Sequence, residues 1–234
     1  MRLSILIPAY NERQTIAAVL SAVGAALPAV EKEIIVVDDC STDGTGAFLQ
    51  ELFAAAPPSG VSYRLISHGR NRGKGAALRT AMDAVTGVIV VIQDADLEYD
   101  PQDWTQMYNL IAERKVADVV YGSRFYGRPH RSLFYHHFLA NKLISVLFNI
   151  LYNQTLTDIE VCYKMFTREV LNSLRLTCDD FGIEVEITAQ ISLNRKLRIY
   201  ETGISYYGRT YAEGKKIDWR DGLKALWYIL KFRF

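Results

Sequence analysis

The stretch GVIVVIQDADLEYDP, residues 87–101, joins an apolar β-branched run to a set of acidic residues. Such a run, bounded by polar residues, predicts a strand buried on both faces of a sheet. Asp94, Asp96 and Glu98 alternate, so an extended segment would direct all three carboxylates the same way. Converging carboxylates repel and lose solvation unless a cation offsets them. A hard divalent ion with oxygen ligands, Mg2+ or Mn2+, that also coordinates a substrate diphosphate would do so. An aspartate-rich turn or helix N-cap would leave the same residues. Cys40 and the four histidines show no soft-metal spacing, which disfavours zinc.

Upstream, the pattern repeats. LSILIPAY, EIIVVDD and YRLISH read as strands, separated by the helical stretches RQTIAAVLSAVGAAL and DGTGAFLQELFAAA. The Gly-rich basic turn GRNRGKGAALRTAMDAV opens a third helix, and ADVVYGSRF, residues 117–125, is a further strand. Alternating strands and helices predict an α/β fold, a Rossmann-like, mostly parallel sheet with helices on both faces. Ligands of such sheets bind at the carboxyl ends of the strands. Those ends carry Pro8, Tyr10 and Glu12, then Asp38 and Asp39, Arg72 and Lys74, and Asp94 and Asp96. GRNRGKGAAL is not GxxxxGK[ST], but its glycines and the helix start after them suit a close approach to phosphate, and equally a flexible basic loop.

Composition bounds the rest. The chain has 234 residues, 50% of them hydrophobic, and a formal net charge of +1. That suits one domain, residues 1–234. It supplies no field for nucleic acid, which is not expected as a partner. Three widely spaced cysteines predict reduced thiols in a cytoplasmic protein. MRLSILIPAYNE is too short in apolar residues for a signal peptide, and no segment supplies the roughly 20 needed to span a bilayer.

In order and spacing, IPAYNE, IIVVDDCSTDGT, NRGKGAALRTAM, QDADLEYDP and YGSRF resemble glycosyltransferase family 2. TDIEVCYKMF, FGIEVEI and YYGRTYAEGKKIDWRDG narrow the resemblance to polyprenyl-phosphate sugar synthases of the dolichol-phosphate mannose synthase kind. It implies a GT-A fold, with a nucleotide-binding half (1–98) and an acceptor half (99–234), and inverting transfer of a hexose, mannose or glucose, from GDP-mannose or UDP-glucose to a polyprenyl phosphate. By position it implies that Pro8, Tyr10, Glu12, Val37 and Asp39 hold the nucleoside. Asp94, Ala95 and Asp96 would line the donor, and Asp94, Asp96 and Glu98 would form the metal set. In some relatives the position of Glu98 is Gln, also an oxygen ligand. Arg124 would sit beside the donor diphosphate or the acceptor phosphate, and Arg209 and Lys215 would come from a loop closing over the donor. Asp158 matches a catalytic aspartate that acts as a base or orients an arginine, and orientation is the reading favoured here. A phosphate acceptor is already ionised, so the reaction needs cations more than a base.

Many relatives append transmembrane helices, whereas this chain stops at LKALWYILKFRF. The expectation is a protein lying on the cytoplasmic face of a membrane, alone or through an anchoring partner protein. Residues 133–152 and 218–234 have the amphipathic pattern of interfacial helices, with Arg128 and Arg131 facing headgroups or the acceptor phosphate. The alternatives are a family 2 enzyme with a soluble or polysaccharide acceptor, and a nucleotide-sugar-binding module without catalysis.

Overall fold

The structure is a computed structural model that describes residues 1–127, 129–132, 134–210 and 219–234, with Trp219 and Arg220 described by backbone alone. The elements run β1 (Arg2–Ala9), α1 (Ile16–Ala25), β2 (Glu31–Asp38), α2 (Thr45–Ala54), β3 (Val61–Ser67), α3 (Lys74–Asp83), β4 (Ile89–Ile92) and α4 (Trp104–Tyr108). They continue with β5 (Val119–Ser123), α5 (Tyr135–Tyr152), β6 (Lys164–Thr167), α6 (Arg168–Ser173), α7 (Ile183–Leu193), β7 (Ile199–Gly203) and α8 (Trp219–Lys231).

The strands form a seven-stranded sheet in the order β3-β2-β1-β4-β6-β5-β7. All neighbours pair parallel except β6, which is antiparallel to both β4 and β5. Successive residues of a strand face opposite sides of a sheet. Leu3 through Ile7, Ile34 through Val37 and Ile89 through Ile92 are nonetheless buried without a break, so both faces are covered. This matches the sheet expected from the sequence.

Two strands escaped the sequence reading. β6 is four residues, too few for a periodicity to register, and β7 is a half-buried edge strand with no long apolar run. The reversal of β6 matters for the site. Because it runs backwards, the chain enters β6 at the edge where the parallel strands end, bringing residues 158–163 beside the ends of β4 and β5.

The Gly-rich turn is used differently from a phosphate loop. The first amides of α3, on Gly75 and Ala76, donate to the Asp179 carbonyl at 2.8 and 3.2 Å. Gly73, at φ +95°, and Gly75 leave no room for a Cβ because the backbone of residues 178–180 lies against them. The glycines therefore serve chain-to-chain packing, and the helix N-terminus is occupied by protein. Glu186 of α7 holds the other side of this contact by accepting from the amides of Thr177 and Cys178 at 2.8–2.9 Å.

Gly75→Ala should therefore destabilise the protein by roughly 1–3 kcal/mol through overpacking. Gly24→Ala, inside α1 where a methyl group meets nothing within 4 Å, should add about 0.5–1 kcal/mol. Urea unfolding of the two variants tests this contrast, and equal effects would remove the packing role given to Gly75.

Candidate active site

A cleft of about 450 Å3 opens along the carboxyl edge of the sheet. This is within the ordinary range for a small-ligand site. Of the residues expected from the sequence, Pro8, Tyr10, Glu12, Asp39, Asp94, Ala95, Asp96, Glu98, Arg124 and Arg209 all line it. Val37 does not: it is fully buried in β2, in register with Pro8. Lys215 and residues 211–216 of the expected closing loop lie outside the described residues, as do Arg128 and Leu133.

The acidic stretch is bent rather than extended, so alternation is not what gathers its carboxylates. The Glu98 amide donates to Asp96 Oδ1 at 3.1 Å, folding the segment into a turn. Asp94 is drawn to one side by Lys74, whose Nζ lies 2.7 Å from Asp94 Oδ1 and 3.0 Å from Glu184 Oε1. Lys164 completes the chain by pairing with the second oxygen of Glu184. Burial alone would depress the Lys74 pKa, but Asp94 and Glu184 outweigh it and hold the ammonium protonated well above its usual range.

Asp96 and Glu98 meet Arg209 instead. Its guanidinium lies 2.5 Å from Asp96 Oδ2 and 3.4 Å from Glu98 Oε1, with Glu12 at 3.7 Å. Its amide also donates to Glu98 Oε1 at 2.7 Å, and Tyr206 donates its hydroxyl to Glu98 Oε2 at 3.0 Å. One arginine does not offset the three acids. Burial, then Asp94 and Glu98, push the Asp96 carboxyl up to about 7 despite Arg209.

That excess of buried negative charge, offered by oxygen alone, fits a hard divalent cation. Among the described residues no three His, Cys, Asp or Glu side chains form a ready metal cage. Magnesium-type sites need only one or two carboxylates when substrate phosphate supplies the remaining ligands, and Asp96 and Glu98 meet that requirement.

Arg124, at the end of β5, is held by Asp158. Nε and one terminal nitrogen donate to its two carboxylate oxygens at 2.6 and 2.7 Å, and the Arg124 amide adds a third bond at 3.2 Å. Asp158 has no exposed surface and does not line the cleft, so its oxygens face the guanidinium and not the open space. The fork is thereby fixed in direction, and its charge is kept well above the ordinary arginine range by Asp158 despite burial. Tyr206 packs against it, with its ring centre 5.2 Å from the guanidinium carbon.

Asp39, expected at a nucleobase, is already occupied. Its carboxylate accepts from the amides of Arg72 and Gly73 at 2.7–3.1 Å and contacts His68 Nδ1 at 2.6 Å. It shapes the basic turn as well as the cleft floor.

The sequence reading gave no role to Glu160, Lys164 or Glu184. Lys164 and Glu184 are charges set in the apolar stretches VCYKMF and GIEVEI, a pattern that signals a buried pair, and Glu160 stands at the head of the first stretch. Glu184 and Glu186, two apart on a helix, point to nearly opposite sides. Glu184 reaches the cleft and Glu186 the loop that caps α3.

A carboxyl that titrates near 7 when folded and near 4 when unfolded binds more protons in the folded state between those values. Stability then falls as pH rises through that window. Asp96 and Glu160, both pushed up to about 7, should make the melting temperature of the ligand-free protein fall from pH 5.5 to 8. Asp96→Asn should flatten that slope and melt higher than wild type at pH 8. A melting profile unaltered by the substitution would show that Asp96 is ionised throughout.

Comparison with known proteins identifies the family. The family model described as glycosyl transferase family 2 matches residues 4–175. Glycosyltransferase AglJ of Haloferax volcanii is 31% identical over 223 residues, covering 93% of this chain and 67% of its own length. The dolichol-phosphate mannosyltransferase of Pyrococcus furiosus is 27% identical, and the match covers 99% of this chain and 64% of that protein. An undecaprenyl-phosphate mannosyltransferase of Micrococcus luteus is 29% identical, covering 92% of this chain and 87% of its own. Among solved structures, glucosyl-3-phosphoglycerate synthase of Mycobacterium tuberculosis, bound to Mn2+, UDP-glucose and phosphoglyceric acid, superposes with a TM-score of 0.74. At 20% identity, covering 99% of this chain and 79% of that one, it shares the GT-A fold. With its sheet, its acidic turn and its arginines accounted for, the chain belongs to glycosyltransferase family 2.

Proposed function

We propose that this enzyme transfers a neutral hexose, mannose or glucose, from a nucleotide sugar to a polyprenyl phosphate at a membrane surface. The observation that carries the reading is the double use of α5 and α8. Ala140, Asn141 and Ile144 of α5 and Gly222, Ala225 and Tyr228 of α8 wall the cleft. On their outer sides, α5 exposes Phe138, Leu139, Leu143, Val146 and Ile150, and α8 exposes Leu223, Trp227 and Leu230. Leu143 is 60% exposed, Ile150 72% and Trp227 55%.

The helices are packed side by side, tied by Tyr152 donating its hydroxyl to the Ile229 carbonyl at 2.9 Å and by Arg233 donating to the Leu151 carbonyl at 2.9 Å. Their apolar faces together form the patch that an interfacial helix pair presents to acyl chains. Lys231, 4.9 Å from the Trp227 ring centre, adds the cation expected at the headgroup level. No helix among the described residues is long and apolar enough to cross a membrane. A lipid phosphate approaching along these helices meets the cleft beside Arg124.

In this reading the nucleoside lies over Pro8, Tyr10 and Asp39, and the diphosphate lies at the acidic turn. Asp96 and Glu98 would hold a divalent ion, which supplies charge neutralisation of the departing nucleoside diphosphate. Arg124, aimed by Asp158, presents a fork to phosphate oxygens. The acceptor phosphate is itself the nucleophile and is ionised at neutral pH. Asp158 therefore acts by orienting Arg124 and not as a base. Arg209, freed from the carboxylates it holds here, is a second cation for the reacting phosphates. The names of the relatives support the acceptor: two of them act on dolichyl or undecaprenyl phosphate.

The deciding assay offers UDP-glucose or GDP-mannose with Mn2+ and either a short-chain polyprenyl phosphate or phosphoglyceric acid. Transfer to the polyprenyl phosphate is expected, and transfer to the soluble acceptor alone would replace this reading with a soluble-acceptor enzyme. Arg124→Ala should lower turnover by roughly two to three orders of magnitude. Asp158→Ala should do the same, and the double variant should be no slower than Arg124→Ala. Additive losses would give Asp158 a role of its own.

The surface reading makes a separate prediction. Wild type should co-sediment with anionic liposomes at low salt, and Leu143→Glu/Trp227→Glu should remain in the supernatant while still melting cooperatively. Equal partitioning of the two proteins would dismiss the helix pair as the membrane contact.

A further inference from the structure

The sheet arranges the cleft in a chemical order. Along its edge, β1 and β2 bring Pro8, Tyr10 and Asp39, β4 brings Asp94 and Asp96, and β5 brings Arg124. Between β4 and β5 lies β6, running the other way, so the residues just before it emerge between the carboxylates of β4 and the guanidinium of β5. Glu160 is one of these residues, and it lines the cleft. With the nucleoside over β1 and β2 and the acceptor phosphate at Arg124, this interval is the one left for the transferred sugar.

Glu160 also differs from the carboxylates around it. Asp94 and Glu184 share Lys74, Asp96 and Glu98 hold Arg209, and Asp158 is closed on Arg124. Asp39 is filled by backbone amides. Among the described residues Glu160 makes no hydrogen bond or ion pair, and the cations near it are committed elsewhere: Arg124 to Asp158 and Lys164 to Glu184. Burial pushes its carboxyl up to about 7, with Asp158 and Glu184 adding to the rise and Arg124 and Lys164 opposing it. Glu160 is half-buried, and a carboxylate partly withdrawn from water with open lone pairs gains when a group in the cleft donates to it. A pyranose ring supplies hydroxyl donors without charge, whereas a sugar with its own carboxylate would set two anions together.

We propose that Glu160 reads the donor sugar, accepting hydrogen bonds from hydroxyls of the transferred hexose and rejecting donors whose sugar carries a carboxylate. This assignment rests on the glycosyl-transfer reading above. It makes Glu160 a specificity-determining residue that touches the substrate, and it narrows the donors to neutral hexoses.

The test compares wild type, Glu160→Gln and Glu160→Ala on UDP-glucose, GDP-mannose, their monodeoxy analogues and UDP-glucuronate, at saturating short-chain polyprenyl phosphate. Wild type should prefer a parent hexose over at least one monodeoxy analogue by about tenfold or more in kcat/KM, the range for a hydrogen bond to a charged group. Both variants should lose most of that preference, and Glu160→Gln should raise the use of UDP-glucuronate relative to the neutral donor. Intrinsic reactivity differences between analogues cancel in the comparison of wild type with variant. UDP and GDP should raise the melting temperature of all three proteins equally, since neither contains the sugar. Unchanged donor ratios in active variants, or loss of nucleotide binding along with sugar transfer, would overturn the assignment while leaving the transferase reading intact. Absence of transfer by wild type from every donor would instead overturn the transferase reading, and this one with it.

Discussion

Lys74 is the point on which the site depends. It stands at the first turn of α3, and its ammonium bridges Asp94 at the end of β4 to Glu184 on α7. One residue thus joins the strands and helices of residues 1–98 to the helices that follow. A buried ion pair of this kind contributes little net stability against its desolvation cost, but removing one partner strands the others. Its value is positional. With Lys74 in place, Asp94 has a cation other than the one that holds Asp96 and Glu98, so the carboxylates at the strand end are divided between two cations.

The backbone contacts around it serve the same end. The amides of α3 dock on the Asp179 carbonyl, Glu186 holds residues 177 and 178, and Asp39 holds the turn from the other side. Glycine at positions 73 and 75 is the condition for this close approach. A segment that looks, in sequence, like a cradle for phosphate is a joint between two parts of the protein. The space it leaves open is walled by side chains and not by a helix N-terminus.

The edge that results is an array of fixed charges facing a cleft. Arg124 is locked by a carboxylate with no exposed surface, so its direction does not depend on a ligand. Arg209 is held by Asp96 and Glu98 through contacts that a bound anion or cation would compete for. Preorganised charge of the first kind stabilises developing negative charge without reorganisation at the moment of reaction. The apolar faces of α5 and α8 lie outside this array, on the same helices that wall it. The charged cleft therefore sits directly behind an exposed apolar surface.

By itself the sequence determined the alternating strands and helices, the parallel strands buried on both faces, and the gathering of acidic and basic residues at strand ends. These features are legible because periodicity and the carboxyl-edge rule follow from local geometry and burial. Its motifs were also enough to mark Asp96, Arg124 and Arg209 as neighbours in one site, and the apolar spacing of residues 133–152 as a helix with an exposed face. Only the tertiary structure decided that β6 is reversed, that Asp158 lies beneath Arg124, that the Gly-rich turn packs on residues 178–180, and that Glu160 emerges between β4 and β5. Each of these is a contact between residues far apart in the chain. The pairing of a four-residue strand, or the partner of a lone buried charge, is set by what the rest of the fold brings beside it, and no periodicity in the sequence records that.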